Sequence, residues 1–524
     1  MYKRQHYIYA IVSDGDLMEG LSHEAGSLAG HLGLDSLIYF YDDNEISIEG
    51  STDIAFTEDV AGRFRAYGWH VQEIDGQNVD AIDAAIRAAK AVKGKPHLIA
   101  CRTTIAYGSP NMKGSAEAHG SPLGDEEIRL TKEALGWPSM EPFFVPNDVI
   151  AHYRLAAPQG EHAEAKWREL LTSYEQAYPE DAAELQRVLS GTLPADWVAA
   201  LPKFRPDDKA IATRSASGKV LNAIAKAVPE LIGGSADLEP STKTYLTGFG
   251  DFQKETPGGR NFHFGVREHA MGGLLNGMAL YGGVRVYGAT FMVFSDYMRP
   301  SVRLAALMKI PVVYVFTHDS VYVGEDGPTH EPVEHVMALR IIPGMTVIRP
   351  ADANETVAAW KVALEHTDGP VALALTRQNL PILQEAVNLA MQGVARGAYI
   401  LSESPLDRVD IILIATGSEV ADALVAQKLL AERRIGARVV SMPSWELFEQ
   451  QPLFYKHTVL PPSVIKRLAI EAGVTLGWER YVGSYGDIIG IDHFGASAPY
   501  QRIQKEFGLT PEDIANRAAR LMAE

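Results

Sequence analysis

Short apolar runs alternate with longer amphipathic stretches along the whole chain. Residues 7–12, 37–41, 98–100, 312–316 and 411–415 are apolar or aromatic throughout, with no regular polar alternation. That pattern fits strands covered on both faces, as in parallel sheets. The segments between them carry helical spacing, clearest in the charged stretch 163–189 and in the amphipathic stretch 514–522. Strands alternating with helices predict βαβ units and an α/β protein with mainly parallel, doubly wound sheets. Three blocks emerge: 1–180, a Pro-containing linker 181–210, then 211–390 and 391–524.

Composition narrows the function classes. The chain has 524 residues, which as a prior suggests about three domains. Its formal charge of −18 argues against nucleic-acid or anionic-membrane binding. Any anionic substrate must therefore meet a local basic pocket. One cysteine, Cys101, excludes an internal disulfide framework and suits a reducing cytosol, so a cytoplasmic location is expected. No apolar run is long enough to span a membrane, and no secretory segment opens the chain. Met1–Gln5 is short, basic and unlike the rest of the chain, and reads as a start-site scar.

Two acidic turns come after predicted strands: Ser13-Asp14-Gly15, and Asp42-Asp43-Asn44-Glu45-Ile46. Ligands of open α/β sheets bind at such strand ends. Asp14, Asn44 and the Ile46 carbonyl offer hard oxygens that suit Mg²⁺ or Ca²⁺, with phosphate oxygens completing the shell. A helix opening near Leu17 would turn free N–H groups towards the same phosphates. On spacing alone, two solvated turns explain the pattern equally well. Further on, His318, Asp326 and His330 lie in a Gly- and Pro-punctuated loop; they offer metal ligands, a reading that the oxygen ligands elsewhere disfavour, and a lone histidine is by default a surface or core residue.

The wording of these segments resembles the transketolase family. Ser-Asp-Gly followed by Asp-Asn is similar to the thiamine-diphosphate motif, usually Gly-Asp-Gly then Asn-Asn. LMEGLSHEAGSLAG, YDDNEISIEG, FRAYGWHV, GSPN, AHGSPLG and ALGW look like transketolase. So do GGSADLEPS, FGVREHAMGG, ATFMVFSDYMRPSVRLAALM, THDSVYVGEDGPTHEPVEH, LTRQNLP, IATGSEV and VVSMPS. The resemblance runs from His6 to the end. It implies a diphosphate-binding domain, a pyrimidine-binding domain and a C-terminal domain. It also implies a homodimer, with thiamine diphosphate held between the first domain of one chain and the second of its partner. The implied reaction transfers a two-carbon ketol unit from a ketose phosphate to an aldose phosphate through a thiamine-diphosphate ylide.

Carried over by position, Asp14, Asn44 and the Ile46 backbone would bind the metal, and Gly15 would contact the diphosphate. Glu19 falls where a family carboxylate couples paired active sites. Glu268 corresponds to the glutamate that bonds the aminopyrimidine ring and favours its imino tautomer. Phe294, with Phe291 and Tyr297, would pack on that ring. Arg214, Ser241 and Arg377 would grip the sugar phosphate, for which the planar guanidinium fork is suited. His318, Asp326 and His330 would bind the sugar, His330 also moving a proton near the cleaved bond. His119 would contact both diphosphate and substrate.

Several positions depart from the family pattern. Ser13 and Asp43 replace the usual Gly and Asn, and Ala116 stands where a histidine is common. No Gly-Pro-Gly-His word occurs. The family normally begins on the order of a hundred residues earlier, a domain-sized length. The first domain is therefore expected to lack its N-terminal part, leaving strand 7–12 with an exposed edge. The alternatives are deoxyxylulose-phosphate synthesis, a dehydrogenase E1 component, a dimerising remnant without turnover, or a site completed by a separate chain.

Overall fold

The computed structural model describes residues 6–523; the scar reading of Met1–Gln5 lies outside the described residues. The chain forms two compact units, Met1–Gln186 with Gln253–Glu255, and Arg187–Phe252 with Thr256–Glu524.

The first unit is built on strands β1 (Ile8–Ser13), β2 (Leu37–Asp43), β5 (His70–Asp75) and β6 (His97–Arg102); a small hairpin, β3 (Ile46–Ser47) and β4 (Gly50–Ser51), comes after β2. The four-stranded sheet has the order β1-β2-β6-β5 and is parallel throughout. Its residues divide with period two. Leu37, Tyr39 and Tyr41 of β2, with Leu98 and Ala100 of β6, join the core around Phe64 and Trp69. Ile38 and Phe40, with Ile99 and Cys101, join the opposite core against the helix carrying Ala85 and Ala89. Helices cover both faces, which explains runs without polar alternation. β1 is an edge strand among the described residues, and its Ile11 is 78% exposed. The charged stretch near 163–189 forms two helices, Ala156–Ala177 and Pro179–Leu189.

The second unit contains two sheets. The first comprises β7 (Leu231–Ser235), β8 (Asn261–His263), β9 (Arg285–Phe291), β10 (Val312–Thr317), β11 (Thr346–Ile348) and β12 (Val371–Leu375). Its order is β11-β12-β10-β9-β7-β8, all parallel. Every residue of β10 and β12 is buried. The other sheet has the order β13-β15-β14-β16-β17, from β13 (Tyr399–Ser402), β14 (Ile411–Ala415), β15 (Ala437–Ser441), β16 (Arg467–Ile470) and β17 (Asp487–Ile489). Only β13 runs antiparallel there. The closing helix Pro511–Ala523 buries Ile514, Ala515, Ala518 and Leu521, the i, i+4, i+7 face its sequence encodes.

Buried ion pairs join the two sheets. Arg349 comes just after β11 and has no exposed surface. Its Nε donates to Asp319 Oδ2 at 2.8 Å, just beyond β10, and its Nη1 to the Thr416 carbonyl at 2.9 Å, just beyond β14. The same guanidinium pairs with the buried Glu419. Arg340 likewise makes a two-pronged bond to Glu471, at 2.8 and 3.0 Å, between the domains that the sequence separates. Among the described residues, no helix is long and apolar enough to cross a membrane.

Removing one member of a buried pair strands the other charge. Arg349→Met is expected to lower unfolding stability by about 3–5 kcal/mol, read from the urea midpoint. A loss below about 1 kcal/mol would show that the carboxylates are neutralised in another way.

Candidate functional site

Parallel pairing sets the C-terminal ends of β1 and β2 side by side, with Ser13 in register with Asp42. Asp14 comes directly after β1 as the first residue of a short helix, Asp14–Met18, earlier than the start near Leu17 that the sequence suggested. Asp16 accounts for the difference. Its carboxylate accepts from the Ser13 backbone N–H at 2.8 Å and the Ser13 hydroxyl at 3.1 Å, closing the helix start.

Asp14 is 2% exposed. One of its oxygens accepts from the Tyr41 hydroxyl at 2.5 Å; the other, Oδ2, is buried without a hydrogen-bond partner. Burial raises the Asp14 pKa, the Tyr41 bond opposes the rise, and Asp43 and Asp42 add to it. The turn after β2 lies against the same group, with the Glu45 N–H helping to hold the carboxylate ionised. In that turn Asn44 Oδ1 accepts from the Ile46 N–H at 2.9 Å, and Asn44 Nδ2 donates to Asp42 at 3.3 Å. A desolvated carboxylate oxygen without a donor, in a set of hard oxygens, fits a divalent cation. Gly15 is exposed, with open space where a side chain would stand. His119 is exposed at the end of the 3₁₀ turn Ala116–Ala118, and Glu19 is exposed at the break between two helices. Among the described residues, neither His119 nor Glu19 hydrogen-bonds to Asp14 or Asn44 through its side chain. Tyr41 is the functional neighbour that sequence reading missed. Its only signal was its place on the Leu37–Tyr39–Tyr41 face of β2.

In the second unit, residues distant in sequence meet at the C-terminal ends of β9, β10 and β12. The His318 ring lies over Phe291 at 3.7 Å between centroids. Phe291 stacks with Phe294 at 5.9 Å and 6°. Phe294 in turn meets Tyr297 at 6.0 Å and the edge of His330 at 5.7 Å. Arg214 Nη1 donates to the Ser241 carbonyl at 2.8 Å and approaches His318 Nε2 at 3.4 Å. Arg377 lies close enough to depress both Arg214 and His318, and sits 3.7 Å from Glu325. Thus Arg214, Ser241, Phe291, Phe294, Tyr297, His318, His330 and Arg377 form one linked cluster. Glu268 is buried at the start of helix Glu268–Tyr281, and Asp326 is exposed in the loop beyond β10. The loop's His318, Asp326 and His330 do not converge as a metal-ligand group among the described residues.

The electrostatics of this cluster suit an anion. Arg214 is half-buried and, among the described residues, has no carboxylate within ion-pair distance and leaves its Nε buried without a partner. Burial lowers its pKa and Arg377 lowers it further. Burial also acts first on His318, joined by Arg214, Arg377 and His330, pushing it down to about 3. His318 is therefore a neutral imidazole near neutral pH. Thr317 Oγ1 lies 2.9 Å from its Nδ1. Its backbone has φ +60, a left-handed conformation that costs a non-glycine residue energy and that concentrates at functional sites.

A second group that sequence reading missed is Glu331, the neighbour of His330. It is 2% exposed, and neither carboxylate oxygen closes a hydrogen bond. Burial pushes it up to about 7, with the Ala496 and Gly324 amides pulling the other way and Asp326 adding to the rise. Gly495 packs so closely that a Cβ there would lie 1.6 Å from Glu331 Oε2. Ser497 reaches the same loop, donating from Oγ to the Glu325 carbonyl at 2.7 Å.

The comparisons with known proteins agree with this architecture. Residues 2–194 match the thiamine diphosphate binding domain of transketolase, 209–382 its pyrimidine binding domain, and 397–510 the transketolase-like C-terminal domain. These domains define a thiamine-diphosphate-dependent transferase. A transketolase of Geobacillus stearothermophilus is 55% identical over 99% of this chain and 78% of its own length. A chloroplastic transketolase of Craterostigma plantagineum is 51% identical over 99% of this chain and 100% of its own. A Pichia stipitis transketolase solved with sedoheptulose 7-phosphate superposes with a TM-score of 0.94 at 46% identity, covering 99% of this chain and 76% of that one. The chain belongs to the transketolase family. The comparisons do not support the expectation that the first domain lacks its N-terminal part; the model for that domain matches from residue 2.

Because Glu331 is protonated in the fold up to about pH 7 but ionises earlier once unfolded, the folded state binds the extra proton between those values. Stability then falls as pH rises through that window. Glu331→Gln is expected to be near neutral at pH 5 and to stabilise by about 1–2 kcal/mol at pH 8, compared by urea midpoints. Equal effects at both pH values would contradict a titrating Glu331.

Proposed function

We propose that this chain transfers a two-carbon ketol unit between sugar phosphates, using thiamine diphosphate. The observation that carries the reading is the half-buried Arg214, without a carboxylate partner, beside Arg377 and the neutral His318. Arg377, itself 3.7 Å from Glu325, adds a second positive charge beside Arg214, and the two together suit an anion in a protein of net charge −18. A phosphate on the sugar is such an anion.

When bound, thiamine diphosphate supplies the carbanion-stabilising centre that this reaction needs. Glu268, desolvated at its helix start, would hold the aminopyrimidine ring nitrogen. Phe291, Phe294 and Tyr297 offer the aromatic faces on which that ring would rest. Asp14, Asn44 and the Ile46 carbonyl would hold Mg²⁺ or Ca²⁺, which neutralises the diphosphate, with Gly15 leaving room and His119 adding a contact. The unpartnered Asp14 Oδ2 supports this assignment. Arg214, Arg377 and Ser241 hold the sugar phosphate. His318 stays uncharged and hydrogen-bonds a sugar hydroxyl without competing for the phosphate. Asp326 binds a hydroxyl near the aldehyde end, and His330 donates and accepts a proton near the bond that breaks.

The working form is a homodimer, in which the diphosphate half-site of one copy and the pyrimidine half-site of the other enclose one cofactor. The open space at Gly15 and the 65% exposure of Tyr297 support half-sites that a second copy covers. A cytoplasmic location suits the single cysteine, whose buried thiol is pushed up to about 11 by burial and by Asp42 and so stays protonated.

Glu268→Ala is expected to lower kcat for ketol transfer from hydroxypyruvate to a short aldehyde by about 100-fold or more, with an unchanged fold. Full activity in that variant would remove Glu268 from the mechanism. Arg377→Ala should raise KM for a phosphorylated ketose by about 10- to 100-fold while changing that for unphosphorylated hydroxypyruvate about threefold or less. Equal effects on both donors would mean that Arg377 does not read the phosphate. Asp14→Asn should raise the Mg²⁺ concentration for half-maximal cofactor binding by about tenfold or more, followed by fluorescence quenching.

A further inference from the structure

Three side chains of the second unit that the proposed ketol transfer does not use come together: Asp296, Glu334 and His335. Asp296 lies in the first turn of helix Ser295–Leu307. His335 opens the short helix His335–Arg340, with Glu334 just before it. Arg299, one turn beyond Asp296, donates from Nη1 to the Ala338 carbonyl at 2.8 Å and so fastens the first helix to the second. The two carboxylates are exposed, whereas His335 is buried.

The His335 imidazole is not an ordinary core residue. Its side chain is 6% exposed, and neither ring nitrogen closes a hydrogen bond. A neutral imidazole has one N–H to donate and one lone pair to be met, and leaving both desolvated is costly. What the ring does face is carboxylate: Asp296 Oδ2 lies 3.2 Å from Nε2, and Glu334 Oε2 3.7 Å from Nδ1. One ring nitrogen and one oxygen of each carboxylate lie within 4.8 Å of one another. Two atoms that each bind a tetrahedral Zn²⁺ at about 2.0–2.1 Å stand about 3.3 Å apart. Asp296 and His335 are already at that spacing, and the exposed Glu334 side chain closes the set by a change of rotamer.

The charge balance calls for a cation. Among the described residues, no lysine or arginine comes within ion-pair distance of Asp296 or Glu334. A divalent ion matches two carboxylates, and an imidazole among the ligands selects Zn²⁺ over Mg²⁺ or Ca²⁺, which take oxygens. We infer that Asp296, Glu334 and His335 form a Zn²⁺ site, open to solvent on the carboxylate side and completed there by water. It differs from the Asp14 set, whose donors are all oxygens. Asp296 stands between Phe294 and Tyr297, and Glu334 comes four residues after His330. The ion therefore ties the segment that carries the aromatic faces to the segment that carries His330, where Phe294 and His330 already meet at 5.7 Å.

Zn²⁺ itself is the probe. The full-length chain is titrated with Zn²⁺ against a competing chromogenic chelator, with Mg²⁺ in excess to fill sites made of oxygens alone. Saturable binding of a single ion per chain is expected, weakened about tenfold or more by each of Asp296→Asn and His335→Asn and unchanged by Asp14→Asn. Asp296→Asn alters an exposed side chain, so a loss there reports a ligand rather than the fold, and an unchanged urea midpoint checks this. Absence of saturable binding, or an affinity unmoved by both substitutions, overturns the inference and leaves Asp296 and His335 as a plain ion pair. Weakening by Asp14→Asn in place of Asp296→Asn overturns it as well, placing Zn²⁺ at the diphosphate half-site.

Discussion

Arg349 has no exposed surface, and its guanidinium is shared between Asp319, the Thr416 carbonyl and Glu419. Those partners belong to the connections after β10 and β14, in two different sheets, so one side chain sets where the two sheets meet. The arrangement tolerates almost no change around it. A Cβ on Gly417 would come within 2.5 Å of the guanidinium carbon, and Gly417 has φ +61, which a side chain would strain as well. Three burials of charge are costly singly and are offset chiefly by their pairing with one another, Asp319 Oδ1 alone of that carboxylate lacking a hydrogen-bond partner among the described residues. Asp319 is the next residue after His318, so the same lock fixes the strained backbone that turns His318 towards Phe291 and Arg214.

The functional cluster inverts this arrangement. At the joint, cation and carboxylate are matched within the protein. At Arg214 they are not: an arginine and a histidine face each other, with a second arginine nearby. The imidazole responds by giving up its proton, which leaves the guanidinium as the local charge. Asp14 shows the opposite sign of the same principle, a desolvated carboxylate among other acids with one oxygen unmet. Between the two sheets the buried charges are paired with opposite charges, whereas among the described residues Arg214 and Asp14 are not.

Much of this was legible in the sequence because the signals were local. Apolar runs without alternation became β1, β2, β6, β10 and β14, all of which pair in parallel. The words around Asp14, Glu268 and His330 carried the family resemblance. What was not legible depended on contacts between distant residues. Nothing near Arg349 marks it as a joint, since its partners lie 30 and 70 positions away. Tyr41 binds Asp14 across 27 positions, and the helix start at Asp14 rather than near Leu17 depends on where the Asp16 carboxylate folds back. β13 runs antiparallel, a choice made by the return of the chain rather than by its four residues.

Neighbouring residues in the loops of this cluster are divided between the cluster and the interior. Arg377 lies with the basic cluster, while Gln378 is buried. His330 meets Phe294, while Glu331 is buried against Gly495. His318 faces Phe291, while Asp319 is held by Arg349. At each of these steps one side chain joins the cluster and the next is buried in the second unit's interior. That pairing lets loops at a sheet edge hold a defined geometry. It also places a charge change at Glu331 one peptide bond from His330.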